Sequence, residues 1–181
     1  MPIGANPWPD GDAPVIFLLD ARGSFDRSLL ERSIAAHSMA DRANEIVSLD
    51  LRDDRKSLSV QDLVSAITRY PEAIVAPLRL CWTRPDQIAS KGPKLTDIFS
   101  SGDGSPPRWL AGIIARRHPD RLHVTLGEPG TLVAMGERFQ SKSDLAPNAA
   151  IESFAVFVAR QAAIVMDIAE RQLIGGRYKV P

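Results

Sequence analysis

The residues in this chain that are best suited to general-base chemistry are its histidines. His123 and Glu128 are five positions apart, and His37 and Asp41 are four positions apart. A histidine that is held by a carboxylate can take a proton from an attacking hydroxyl, provided that the side chains reach each other and the substrate. The third histidine, His118, is followed at these two spacings by Leu122 and His123.

Neither pair has a favourable geometry for this chemistry. His123 and Glu128 lie along a segment, 122–129, that is expected to be extended. In an extended chain five residues separate two Cα atoms by about 16 Å, and an odd spacing places the side chains on opposite faces. His37 and Asp41 could share a helix face as an ordinary local pair. No G-x-S-x-G nucleophile motif accompanies either pair. The sequence therefore predicts no catalytic residue.

Composition restricts the partners and cofactors. The chain has 181 residues, of which 44% are hydrophobic and 24% charged, as in a globular domain with a core. Acidic and basic residues number 22 each, which argues against a nucleic-acid partner. The single cysteine, Cys81, excludes a disulfide framework and a multi-cysteine metal site. Gly102-Asp103-Gly104 lacks the lysine and the spacing of a Walker loop, so no cofactor and no metal are predicted.

The sequence also predicts neither a targeting segment nor a membrane anchor. The first residues are rich in proline and glycine and do not resemble a signal peptide. The longest apolar stretch, 154–169, is interrupted by Arg160, Gln161 and Asp167 and is shorter than the ~20 residues that span a bilayer. We expect a cytoplasmic protein, or one that is peripheral on the cytoplasmic face of the inner membrane.

The elements that must position these residues alternate between strands and helices. This order predicts an α/β fold with a mostly parallel sheet, flanked by helices and followed by a long C-terminal helix. Strands are predicted at 14–21, 45–51, 73–82 and 122–126, and helices from Ser24, from a Ser59 cap, and at 109–117, 132–139 and 149–174. The broad apolar stripe of the last helix predicts packing on more than one side, with Ile151, Val158 and Ile168 among its members.

The predicted organisation has four parts. Residues 1–13 are expected to be disordered, 14–148 to form the α/β domain, 149–175 the long packing helix and 176–181 a linker stub toward a catalytic domain. The connection at 83–107 contains four prolines and three glycines, and a connection of this length is typically functional or disordered.

Six residues are candidates for ligand or domain contacts. Gly127, Glu128 and Pro129 could line a groove at the C-terminal end of a parallel strand, or they could simply form a turn. Arg79 lies among apolar residues within a strand, so it should face a carboxylate or the rim of the sheet, with a phosphate ligand as the alternative. Arg116 and Arg117 could stabilise a helix C-terminus, or they could contact anionic lipid or a partner domain.

Four segments resemble one known family. They are 75–82 (VAPLRLCW), 121–129 (RLHVTLGEP), 154–160 (FAVFVAR) and 170–181 (ERQLIGGRYKVP). Together they resemble the pre-catalytic N-terminal domain of the actinobacterial-type, membrane-associated glycerol-3-phosphate 1-O-acyltransferase. The resemblance covers roughly residues 15–181 and is strongest from Ala73 onward. The order of a strand with a proline, a helix and a strand ending in Gly-Glu-Pro also suggests a degenerate half-copy of an acyltransferase domain.

The family transfers an acyl group from a coenzyme A or carrier-protein thioester to the first hydroxyl of glycerol 3-phosphate, in glycerophospholipid biosynthesis. Its catalytic H-x4-D block has no counterpart here, because the fifth residues after the three histidines are Arg42, His123 and Glu128. The resemblance thus implies a non-catalytic domain or truncated form that is inactive alone and that docks or stabilises the catalytic domain, in cis or in trans. Two alternatives stay open: a stand-alone enzyme with an unrecognised site, and an interfacial module that binds the membrane peripherally.

Overall fold

The computed structural model describes residues 6–37, 41–51, 59–83, 108–141 and 147–174. Nearly all of the predicted connection at 83–107 and the whole predicted stub at 176–181 lie outside these ranges. The strands are β1 (Val15–Asp20), β2 (Asn44–Leu49), β3 (Ile74–Trp82), β4 (Leu122–Leu126) and β5 (Gly130–Thr131). The helices are α1 (Ser24–Ala35), α2 (Gln61–Arg69), α3 (Arg108–Arg117), α4 (Leu132–Gln140) and α5 (Pro147–Ile174).

The α/β class with a long C-terminal helix is confirmed. The sheet has the order β2-β1-β3-β4, and β5 also pairs with β3. The three longest strands, β1, β2 and β3, are parallel, whereas β4 and β5 run antiparallel to β3. All six residues of β1 are buried, because neighbouring strands cover both of its edges and helices cover both of its faces.

Alternate residues of the central strands supply two separate cores. Ile16 and Leu18 point to one face of the sheet, where they pack with side chains of α2 and α5. Phe17 and Leu19 point to the other face, where they pack with Leu29, Leu30 and other residues of α1. Because side chains alternate along a strand, the odd-numbered and even-numbered residues of β1 or β3 face different helix layers.

Part of the N-terminal segment packs on the domain, although the sequence predicts disorder for residues 1–13. Trp8 is buried, and its ring meets that of Phe17 edge to face with centroids 5.0 Å apart. Its indole Nε1 donates a hydrogen bond to the carbonyl of Ile34, at 3.2 Å. Arg42 donates to the carbonyls of Pro9 and Ala13, at 2.6 and 2.7 Å. These contacts attach residues 8–13 to the layer that contains α1.

Helix α5 lies on the sheet through small side chains. Its buried residues include Ala155, Val158, Ala159, Ala162 and Met166. The flank next to α4 carries Phe154 and Phe157, whose rings both approach Phe139 with centroids 5.5 Å apart. Ile151, Ile164 and Ile168 are exposed. The predicted stripe was therefore wrong for these isoleucines, because the alanine-rich face is the one that approaches the sheet closely.

The predicted serine caps are also absent from the two helices concerned. Helix α1 begins at Ser24 after Gly23, and α2 begins at Gln61 after Val60, in both cases without a capping hydrogen bond from the side chain of the preceding residue.

Candidate functional site

Arg79 is the centre of a buried group of charges on the α5 side of the sheet. It is 2% exposed and lies in β3 at a position where the neighbouring side chains are apolar. Its Nε donates to Asp20, and its Nη1 donates to Asp167, at 2.6 Å, and to Glu170, at 2.9 Å. One guanidinium therefore binds a carboxylate on β1 and two on α5. We call these four residues the Arg79 cluster.

Asp20 places this cluster at the C-terminal edge of the parallel strands. It is the last residue of β1 and stands beside Arg79 in the register of the sheet. Its second oxygen accepts a hydrogen bond from the backbone N–H of Leu51, at 2.9 Å, just after β2. The cluster thus connects β1, β3, α5 and the segment that follows β2. In open α/β sheets this edge is the common place for a ligand site.

The electrostatics of the cluster favour a permanently charged arginine. Burial alone lowers the pKa of the Arg79 guanidinium, but the negative charge of Asp20 and the hydrogen bond to Asp167 outweigh it, so that the pKa of Arg79 is raised. The side chain of Asp20 is fully buried, that of Glu170 is 11% exposed and that of Asp167 is 55% exposed. Three carboxylates therefore surround one cation, and only one of them has substantial contact with solvent.

This arrangement makes Arg79 a structural tie rather than a phosphate-binding group. Its Nε and Nη1 donors are directed at the protein's own carboxylates, as the first of the two sequence-based interpretations predicts. An anionic ligand at this position would meet three carboxylates. The cluster holds α5 against β1 and β3. Its charged contacts fix one position of α5 along the sheet, which hydrophobic packing alone would not specify.

Sequence reasoning did not identify the three acidic partners of Arg79. A signal for each was nevertheless present. Asp20 ends an otherwise apolar strand, and Asp167 and Glu170 are three residues apart, which places them on one side of a helix. A buried arginine in a central strand requires such partners, because burying an unpaired charge is very costly.

The Gly127-Glu128-Pro129 segment is an irregular stretch between β4 and β5, both of which run antiparallel to β3. Because β4 runs antiparallel to β3, its end lies opposite Leu78, near the middle of β3. The predicted groove at the C-terminal end of a parallel strand is therefore wrong, since β4 is not parallel to its neighbour. Gly127 is buried, whereas Glu128 and Pro129 are exposed. The chain resumes pairing with β3 at Gly130.

Pro77 explains why the ladder is interrupted at this point. Proline has no N–H, so it cannot donate to a neighbouring strand. The carbonyl of Pro77 accepts a hydrogen bond from the N–H of Gly127, at 2.9 Å, which shows that the edge without a donor faces β4 and β5. The Gly-Glu-Pro segment spans this position and separates β4 from β5.

Gly127 is also required by the packing of α5. A Cβ atom at this position would lie 2.8 Å from Cγ of Pro77 and 3.0 Å from Cγ2 of Val165. Contacts under 3.0 Å to a proline ring cannot be relieved by rotating a flexible side chain. The glycine thus allows α5 to approach the sheet where β3 carries its proline.

We expect Gly127→Ala to destabilise the domain by about 1–3 kcal/mol, because the methyl group would push α5 away from β3. The measurement is the free energy of unfolding from urea titrations. Gly130→Ala is the matched control: its Cβ would meet only Cε of Met135, at 2.7 Å, the mobile end of a flexible side chain. Gly136→Ala meets nothing within 4 Å in α4 and should stabilise by about 0.5–1 kcal/mol. Equal effects at positions 127 and 130 would contradict the close approach.

The basic residues lie apart from the Arg79 cluster. Arg116 and Arg117 are exposed in the last turn of α3, where positive charge complements the helix dipole. Arg121 instead turns back to the sheet, and its Nε donates to the carbonyl of Thr83 at 3.0 Å. Arg116 and Arg117 are thus accessible, which agrees with either sequence-based interpretation, a stabilised helix end or a contact with anionic lipid or a partner domain.

The histidines of the two candidate dyads contact groups other than carboxylates. Nδ1 of His37 lies 3.1 Å from the carbonyl of Ser33, and α1 ends at Ala35, so His37 and Asp41 do not share a helix face. Nε2 of His123 lies 3.4 Å from Oγ1 of Thr83. Exposed Glu128 belongs to the irregular segment beyond the end of β4.

His123 and Thr125 are polar residues on the face of β4 that carries the cluster. They stand opposite Cys81 and Arg79 in the antiparallel register, so their side chains project toward α5. Within the described ranges, Oγ1 of Thr125 is buried without a hydrogen-bond partner. Cys81 is buried, as its place in an apolar strand predicts.

Searches for other kinds of site and for relatives gave negative results. In the part of the chain that the structure describes, no group of three or more His, Cys, Asp or Glu residues is placed to hold a metal ion. Of the helices in the described ranges, none has the length and apolarity to traverse a bilayer. No family model, no curated protein and no solved structure matches the chain.

Proposed function

We propose that this chain is a non-catalytic domain of a glycerol-3-phosphate 1-O-acyltransferase. In this proposal it works at the cytoplasmic face of the membrane, where it docks and stabilises the catalytic domain in cis or in trans. The proposal combines the resemblance of four sequence segments with the way in which these segments pack.

The observation that supports it best is that the resembling segments form one structural unit. Arg79 of the 75–82 segment binds Glu170, the first residue of the 170–181 segment. Gly127 of the 121–129 segment contacts Pro77 of the 75–82 segment through a backbone hydrogen bond. The 154–160 segment supplies Ala155, Val158 and Ala159 to the core beneath α5. The similarity is thus concentrated in residues that fix α5 on the sheet.

The residues of the resembling segments fix α5 in place, and a domain built in this way is suited to presenting that helix to a partner. The cluster ties α5 at Asp167 and Glu170, and Gly127 permits contact at Val165. In the same helix Ile164 and Ile168 stay exposed. This division between a fixed inner face and an apolar outer face supports docking rather than chemistry.

The test is acyl transfer from palmitoyl-coenzyme A to glycerol 3-phosphate, measured for the purified chain alone, for an acyltransferase catalytic domain of the family alone, and for the two together. We expect no turnover from the chain alone, and association at micromolar concentration with higher activity or a longer half-life of the catalytic domain. Turnover by the chain alone would favour a stand-alone enzyme. Absence of association would exclude docking.

A further inference from the structure

The segment before β1, residues 8–13, is held on the domain by side chains. In the described part of the chain, no backbone–backbone hydrogen bond joins these residues to a strand or a helix. Such bonding begins just after them, where the carbonyl of Pro14 accepts from the N–H of Ile74 at 2.8 Å and the N–H of Val15 donates to the carbonyl of Ala43 at 3.0 Å. We call residues 8–13 the strap, and its boundary with the sheet is sharp.

Two side chains attach the strap to the domain. The ring of Trp8 is buried, and its Nε1 donates to the carbonyl of Ile34. Arg42 holds the rest, because its Nη1 and Nε donate to the carbonyls of Pro9 and Ala13 and its Cζ lies 5.9 Å from the centroid of the Trp8 ring. A segment with so few attachments is typical of a unit that opens without global unfolding.

The environment of Arg42 makes the closed position of the strap unfavourable for its charge. Arg42 is 9% exposed, and the three groups of the strap that it contacts are all neutral. Within the described ranges, its Nη2 is buried without a hydrogen-bond partner. Arginine stays protonated in proteins, so loss of a proton cannot relieve this burial. Water reaches the guanidinium when the strap leaves, and this hydration favours opening.

Gly11 provides a hinge within the strap. Its φ is +92°, a backbone conformation that L side chains rarely adopt. A Cβ atom at this position would meet nothing within 4 Å, so the glycine serves the backbone conformation rather than a close contact. Pro9 and Pro14 lie on either side, and the ring of each proline fixes its own φ. Rotation about Gly11 can therefore move Trp8 and Pro9 while β1 stays paired.

We propose that the strap is a conformational device that opens about Gly11 while the sheet and both cores stay folded. In the closed state Trp8 covers the core on the α1 side of the sheet. In the open state Arg42 and the apolar residues Phe17 and Ile34 become accessible, so this side of the domain alternates between a covered and an uncovered surface. The inference is independent of the proposed function, because it uses no residue of the four segments that resemble the acyltransferase family.

The test is the rate at which a thiol beneath the strap reacts with iodoacetamide under native conditions. Cys81→Ala removes the single natural cysteine, and Ile34→Cys then places a thiol in the core that contains Trp8. If Ile34→Cys does not fold, Leu30→Cys takes its place, since Leu30 is fully buried in the same core. The free energy of unfolding from urea titrations gives the labelling rate that is expected if the thiol reacts only in the unfolded chain.

We expect labelling to be about tenfold or more faster than global unfolding allows, and to change little at low urea concentration, because opening of the strap exposes little surface. Gly11→Ala should raise the labelling rate about tenfold, since the closed state then holds a Cβ atom in the left-handed region. Val158→Ala, in the core on the other side of the sheet, is the matched control. It should lower the free energy of unfolding and leave the labelling rate unchanged.

Three results would overturn the proposal. Labelling no faster than global unfolding allows would show that the strap leaves only when the whole domain unfolds. A labelling rate that rises in Val158→Ala in proportion to the lost stability would show the same coupling to the core. A rate that Gly11→Ala leaves unchanged would exclude opening about Gly11.

Discussion

Replacing Arg79 by methionine is expected to lower the free energy of unfolding by about 3–5 kcal/mol, although the new side chain fits an apolar strand. The loss arises because Asp20 is fully buried and would be left without its guanidinium partner. Glu170, which is 11% exposed, would lose the same partner. Urea unfolding followed by tryptophan fluorescence measures the change.

Two further variants separate the charge effect from packing. Asp167→Asn removes a carboxylate that is 55% exposed, so we expect a loss of no more than about 1 kcal/mol. Arg79→Met/Asp20→Asn removes both members of the most buried pair and should be more stable than the sum of the two single variants predicts. A loss below about 1 kcal/mol for Arg79→Met alone would show that the cluster is not a structural tie.

The arginine itself should add no pH dependence near neutrality. Its folded-state pKa is raised, so the stability that it contributes is fully present below the pKa of the unfolded chain and is lost only as the pH rises through the folded-state pKa. Both values lie far into the alkaline range for an arginine. The difference in free energy of unfolding between wild type and Arg79→Met should therefore stay constant as the pH rises from neutrality and change only at the most alkaline pH values.

The sequence predicts the parallel part of the sheet because its strands are short apolar runs between turn residues. It does not reveal the direction of β4, since the connection from β3 is long enough for either direction. One signal was available. In β4, polar His123 and Thr125 alternate with Leu122, Val124 and Leu126, a pattern typical of antiparallel strands. The direction of β4 decides where the Gly-Glu-Pro segment lies, and it places that segment beside the middle of β3 rather than at the C-terminal edge of the parallel strands.

The face of α5 was mispredicted for a different physical reason. Hydrophobicity favours isoleucine over alanine as a core residue, yet the structure buries Ala155, Ala159 and Ala162 and exposes Ile164 and Ile168. Small side chains let a helix approach a sheet closely, and Gly127 opposite Val165 has the same effect. The burial of a residue therefore depends on the distance between the layers, which a single-sequence pattern does not contain.

Truncating Trp8 to alanine should cost about 3–5 kcal/mol, because a large buried ring would leave a cavity above β1. Trp8 is 5% exposed, contacts Phe17 edge to face and donates to the carbonyl of Ile34. The prediction separates two views of residues 1–13. A disordered segment would show no effect, whereas a packed one anchors α1 to the sheet. The measurement is the midpoint of urea unfolding, with the folded baseline recorded by circular dichroism.

Trp8→Phe tests how the anchor works. It keeps an aromatic ring against Phe17 but removes the indole donor, so the expected loss is only about 1 kcal/mol. Arg42→Met provides a second measure, since it removes the hydrogen bonds to the carbonyls of Pro9 and Ala13 together with the cation-π contact of the guanidinium, whose Cζ lies 5.9 Å from the centroid of the Trp8 ring. If Trp8→Ala behaves like wild type, the segment contributes nothing to the α1 layer. If Trp8→Ala is strongly destabilised and Trp8→Phe is not, then packing of the ring is the main interaction of the segment before β1. Through this packing the segment covers the core on the side of the sheet away from α5.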